Sequence, residues 1–122
     1  MIKRFDRLEV ATSDLGEAGA AYERNFGFSV RRTPGSDDAT IAIGDAEIRL
    51  RAGAAAKDVI ATAGEGLAAV WLEADDVDQV AVALSKAGLG FAPVRREEGR
   101  RVLAVDPKAA NMVPLFIFDR RA

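Results

Sequence analysis

The chain alternates between two hydrophobic periods. Short runs in which every second residue is apolar predict half-buried strands: Leu8 and Val10 alternate with Arg7 and Glu9, and Val70 and Leu72 alternate with Ala69, Trp71 and Glu73. Each run breaks at an aspartate and passes into a stretch whose apolar residues recur every three or four positions, the spacing of one helix face. Aligning Asp14 with Asp76 superimposes Leu8 on Val70, Val10 on Leu72, Leu15 on Val77 and Ala18 on Val80. A strand-turn-helix unit that occurs twice is an internal repeat, and it constrains the fold more tightly than any one segment does.

In the first half, a strand over Phe5–Ala11 leads to Asp14, an N-cap with Glu17 three residues on, the spacing of a capping box. Leu15, Ala18, Tyr22 and Phe26 make the helix stripe, and Gly27 is placed to end it. Phe28–Arg32 reads as a second strand and Pro34–Asp38 as a turn. Thr40–Ile43 and Glu47–Arg51 form a hairpin across Gly44-Asp45-Ala46. Residues 53–66, rich in Ala and Gly, read as a connector with room for one helical turn over Lys57–Ala61. The second half repeats the plan. A strand over Ala68–Glu73 leads to Asp76 and Gln79 as a second capping box, then to a stripe of Val77, Val80, Ala81 and Leu84 that stops at Gly88. Phe91–Arg95 and Arg101–Val105 pair across Glu97-Glu98-Gly99, Asp106-Pro107 turns the chain, Asn111 caps the loop, and Val113–Phe118 is the last strand.

The expected class is therefore α+β: two βαβββ modules, about 1–52 and 67–122, within a single domain over 1–122. Period two assigns Leu8, Val10, Ile48, Leu50, Val70, Leu72, Leu115 and Ile117 to the face under the helices. The opposite face carries Arg7, Glu9, Glu47, Arg49, Arg51, Ala69, Trp71, Glu73, Phe116 and Phe118.

Composition narrows the chemistry. With 122 residues and 49% apolar content, the chain has enough material for one real core. Seventeen basic against 19 acidic residues leave no basic footprint for nucleic acid. No apolar run reaches the length of a membrane span, and Met1-Ile2-Lys3-Arg4 leads into a strand rather than a signal peptide, so a cytoplasmic protein is expected. Cysteine is absent, which removes disulfides and thiolate metal sites. Histidine is absent too, and with it go the commonest general base and the commonest transition-metal ligand.

Two βαβββ halves, an aspartate opening each helix, Phe26-Gly27-Phe28 after the first helix and Asp106-Pro107 with Asn111 before the last strand together resemble the vicinal oxygen chelate superfamily. That group includes glyoxalase I, bleomycin-resistance proteins, extradiol dioxygenases and methylmalonyl-CoA epimerase. The resemblance covers nearly the whole chain. It implies a curled eight-stranded mixed sheet with helices on the convex face, ligands on the concave face, and a homodimer. It also implies a divalent metal held by four side chains whose places fall here on Arg7, Arg49, Ala69 and Phe116. Two permanent cations, a methyl group and a phenyl ring cannot ligate, so no metal or other cofactor is expected.

Candidate ligand-binding residues are then Arg7, Glu9, Arg49, Trp71, Glu73, Phe116 and Phe118. The three rings either stack a flat ligand or fill the space themselves. Arg7 and Arg49 either clamp an anion or pair with Glu9, Glu47 or Glu73. The leading expectation is a metal-free small-molecule-binding protein, holding an aromatic or anionic ligand. One alternative is a glyoxalase-like lyase, isomerase or dioxygenase-related enzyme that uses Glu9 or Glu73 as general base, or a displaced metal. Another is a degenerate domain that acts in protein interaction. Arg95-Arg96 and Arg100-Arg101 read as a solvated basic hairpin.

Overall fold

A computed structural model describes residues 1–121. Eight strands and three α-helices among these residues form two compact units, one of Arg7–Ala68 and the other of Met1–Asp6 with the chain from Ala69 onward. The first unit contains the second half of β1 (Ile2–Ala11), α1 (Leu15–Phe26), β2 (Arg31–Arg32), β3 (Asp38–Ile43), β4 (Ala46–Arg51) and α2 (Gly53–Ala63). The second contains the start of β1, then β5 (Gly66–Ala74) from Ala69, α3 (Val77–Lys86), β6 (Arg95–Glu97), β7 (Arg100–Ala104) and β8 (Leu115–Asp119).

The two units share one topology. In the first, the strand order is β2-β3-β4-β1, with β1 and β4 parallel and the other pairs antiparallel. In the second it is β6-β7-β8-β5, with β5 and β8 parallel and the others antiparallel. Each is a βαβββ module in a mixed sheet, as the repeat requires.

Local signals account for the helix ends. The Asp14 carboxylate accepts the Glu17 amide at 3.0 Å, and Gly27 closes α1 at φ 69°, a left-handed conformation that glycine adopts without strain. Asp76 caps α3 through the Asp78 amide at 2.9 Å rather than through Gln79. Helix α3 ends at Lys86, with Gly88 at φ 73° just beyond.

Several elements differ from the sequence reading. The connector holds an eleven-residue helix, α2, in place of one turn, because its alanines are the strongest helix formers and one of them, Ala56, is buried. Strand β1 starts at Ile2, not Phe5, and Arg4 within this extension pairs with Glu73. Strand β2 keeps only Arg31 and Arg32, since Phe28 and Val30 leave the ladder to pack against α1 and its core. Phe28 stacks on Tyr22 and on Phe26, whose ring is 64% exposed rather than part of the buried stripe. Pro93, with no N–H to donate, limits the pairing of 91–95 to one bridge from Phe91 to Val105, and the ladder resumes at Arg95. Both hairpin turns are tighter than expected, with two residues each. Ile43 pairs with Ala46 around Gly44-Asp45, and Glu97 with Arg100 around Glu98-Gly99.

Each module has its own core. Leu15, Ala39, Ile41, Leu50 and Ala52 form the first, with Val10, Ile48 and Tyr22 packed on it. Ala74, Val77, Val80, Leu103, Val105 and Ile117 form the second, with Leu72 and Leu115. The face assigned to the helices is the one they cover.

Candidate functional site

The face away from the helices is where the chemistry-bearing side chains lie, and each module has its own set. In the second, the parallel register pairs Trp71 with Phe116 and Glu73 with Phe118, and the antiparallel register pairs Val102 with Phe118. The three rings are therefore neighbours. Trp71 stacks on Phe116 at 4.7 Å between centroids and meets Phe118 edge-on at 6.1 Å. With Ala69 and Val102 they make a third apolar cluster, in which Trp71 is 5% and Phe118 0% exposed, while Phe116 is half-buried.

Three guanidiniums lie against these rings. That of Arg100 sits 4.9 Å from the centroids of both Trp71 and Phe118, that of Arg120 5.4 Å from Phe118, and that of Arg95 6.0 Å from Phe116. Arg100, assigned from sequence to a solvated hairpin, is buried. The missed signal was alternation: Arg100 is two residues before Val102 and so shares its face, whereas Arg101 turns to the other side and binds Asp119 and Asp78. Arg100 also lies 3.8 Å from Glu97 and 3.9 Å from Glu98.

Glu73, one of the two candidate bases, is ringed by cations. Arg4 donates to one carboxylate oxygen at 3.0 Å, and Lys3 and Arg120 approach the other at 3.9 and 3.8 Å. In the first module, Arg7 and Glu9 are each 6% exposed, more buried than the Leu8 and Val10 that alternate with them. They pair at 2.9 Å, and Arg51 approaches the other Glu9 oxygen at 3.5 Å. Arg49 pairs with Glu47 at 3.0 Å. Of the two readings of these arginines, the geometry realises the ion pairs. Both oxygens of Glu9 and of Glu73 face cations, an arrangement that orients them toward partners within the protein.

The four places that the resemblance assigns to a metal can be tested on the same geometry. Arg7 and Arg49 point their protons at carboxylates, Ala69 is buried in the ring cluster, and Phe116 is stacked on Trp71. None offers a lone pair. Among the described residues no group of three or more carboxylates is arranged as a metal donor set. The residues present do not fit the ion.

Three further features escaped the sequence reading. Asp119 is 1% exposed and accepts the Val77 amide at 2.8 Å together with two guanidinium bonds from Arg101 at 3.0 and 2.6 Å, which ties the start of α3 to the end of β8. Burial pushes this carboxyl up, but Arg101 and the amides of Val77 and Arg121 more than reverse it, and the group is held below its ordinary range. In the first module a cleft of about 480 Å³ opens between Thr12, Ser13 and α2. Beside it, Glu65 accepts from the Ser13 amide and from the Ser13 and Thr12 hydroxyls, which lower its pKa.

The comparisons with known proteins agree with this architecture. A variant of methylmalonyl-CoA epimerase from Streptomyces coelicolor, solved in complex with 2-nitronate-propionyl-CoA, superimposes with a TM-score of 0.73 at 21% identity, covering 100% of this chain and 97% of that one. A methylmalonyl-CoA epimerase from Mycobacterium tuberculosis gives 0.71 at 20% identity, over 99% and 90% of the two chains. A hypothetical protein from Bacillus halodurans gives 0.76 at 14%, over 98% and 95%. At such identities the likeness establishes the fold. No curated protein sequence matches the chain. Residues 4–111 match the family described as the Glyoxalase/Bleomycin resistance protein/Dioxygenase superfamily, and with the repeated βαβββ topology this places the chain in that superfamily.

Proposed function

We propose that this chain is a small-molecule-binding protein of the glyoxalase/bleomycin-resistance type that works without the divalent metal, its ligand held against the ring face of Trp71, Phe116 and Phe118. One observation carries the reading. Phe116, one of four residues that the family resemblance sets at the metal's places along with Arg7, Arg49 and Ala69, is stacked into an aromatic cluster under guanidiniums. Rings with a few placed charges are what a small flat ligand requires. The enzyme alternative has less support, because Glu9 and Glu73 each spend both oxygens on cations. A cytoplasmic homodimer completes the proposal.

A native mass spectrum of the purified protein tests it. The expected result is a metal-free dimer carrying an organic mass, and a stoichiometric divalent ion would overturn the reading. Trp71→Ala should weaken binding of that organic molecule at least about tenfold, since tenfold corresponds to ~1.4 kcal/mol and a stacked ring contributes about that much.

A further inference from the structure

We propose that the space between Trp71 and Phe118, now filled by the Arg100 guanidinium, is a receptor for a planar cation, and that Arg100 is its internal occupant. This rests on the small-molecule reading above and narrows it to a ligand class: amidinium, guanidinium or protonated heteroaromatic groups. The walls define the class. The guanidinium carbon is 4.9 Å from both ring centroids, Trp71 and Phe118 meet at 62°, and the carboxylates of Glu97 and Glu98 stand 3.8 and 3.9 Å from the same terminal nitrogen. Two electron-rich ring faces and two carboxylates select for positive charge, and flatness lets a delocalised cation lie against a ring where a tetrahedral ammonium makes poorer contact.

The arm that carries Arg100 is short and locally strained. Glu98 and Gly99 form a two-residue turn at φ 50° and 76°, and Glu98 is a non-glycine residue held in the left-handed region. Its side chain is 83% exposed. Rotation about the Arg100 side-chain bonds withdraws the guanidinium while Glu97 and Glu98 stay in place, and an incoming cation then takes over the ring and carboxylate contacts. Arg100 sets both the charge and the shape of what can replace it.

The probes are benzamidine, a planar cation, and benzoate, a planar anion of similar size. Trp71 is the chain's single tryptophan, so its indole N–H peak in a proton–nitrogen correlation spectrum reports the slot alone. Benzamidine should shift this peak in the wild type, and it should bind Arg100→Ala at least about tenfold more tightly, because no internal cation competes. Benzoate should do neither. Arg100→Lys, which keeps charge and chain length but loses the plane, serves if the alanine variant does not fold; it too should gain affinity for benzamidine. Equal affinity of wild type and variants for benzamidine would overturn the proposal, as would an absence of binding to all of them. Preference for benzoate would also overturn it while leaving the small-molecule reading intact. That broader reading fails separately, if the mass-spectrometric ligand binds Trp71→Ala as well as it binds the wild type.

Discussion

Replacing Phe118 by alanine tests the ring cluster as a structural unit. Phe118 is fully enclosed, pairs across the ladder with Val102, meets Trp71 edge-on, and has Arg100 and Arg120 against its ring. Truncating a buried phenylalanine costs ~3–5 kcal/mol through lost transfer free energy and the cavity left behind. Each cation–π contact adds about 0.5–2 kcal/mol, more where it is desolvated, as at Arg100. These terms overlap, so ~4–5 kcal/mol is the expectation. Phe116 is half-buried and keeps its main contact in one stack with Trp71, which puts Phe116→Ala at about 2 kcal/mol. Urea unfolding followed by far-UV circular dichroism would measure both from the shift in midpoint at constant slope. Total stability of a domain this size is about 5–15 kcal/mol, so Phe118→Leu, which keeps most of the buried aliphatic volume and loses the ring contacts alone, provides a milder variant whose loss should fall below that of Phe118→Ala. A loss below ~2 kcal/mol for Phe118→Ala, or a larger loss for Phe116→Ala, would refute the assignment of Phe118 as the enclosed ring.

Further expectations concern charge and backbone. The folded pKa of Asp119 lies below its ordinary value near 4, so its stabilisation is complete above about pH 4 and is lost as acid titrates the folded carboxylate. Asp119→Asn should therefore melt well below the wild type near pH 7, with the gap narrowing as the pH falls below the ordinary carboxylate range; a constant gap would contradict the linkage. Gly53, at φ 66°, would place a Cβ against the Asp37 carboxylate, whereas Gly99, at φ 76°, has open space around it. Gly53→Ala should accordingly cost ~2–3 kcal/mol and Gly99→Ala only ~1, the left-handed strain alone, as read from paired thermal melts. Glu65→Gln should weaken the hold on Thr12 and Ser13 and speed amide hydrogen exchange at Ser13, and unchanged exchange would show that the contact contributes nothing to local order.

Much of this architecture was legible because its causes are local. Period two placed Leu50 and Ile117 under the helices, Asp14 and Gly27 bounded α1, and the offset between Asp14 and Asp76 announced two modules of one topology. What stayed hidden depends on partners far along the chain. A capless run of alanines does not reveal that Ala56 will be buried, nor does Phe28-Ser29-Val30 reveal that α1 will draw it off the ladder. Alternation assigned Arg7, Glu9 and Trp71 to one side of their strands, yet a face does not disclose what covers it. Arg100 reached the rings, and Asp119 reached the Val77 amide 42 residues away, through strand pairings that no short window contains. The sequence by itself determined the modules and the ends of α1 and α3, since period and capping belong to individual residues. Tertiary structure alone decided which charges are paired, which ring is enclosed and which guanidinium occupies the slot, because burial and ion pairing exist only once distant strands lie side by side.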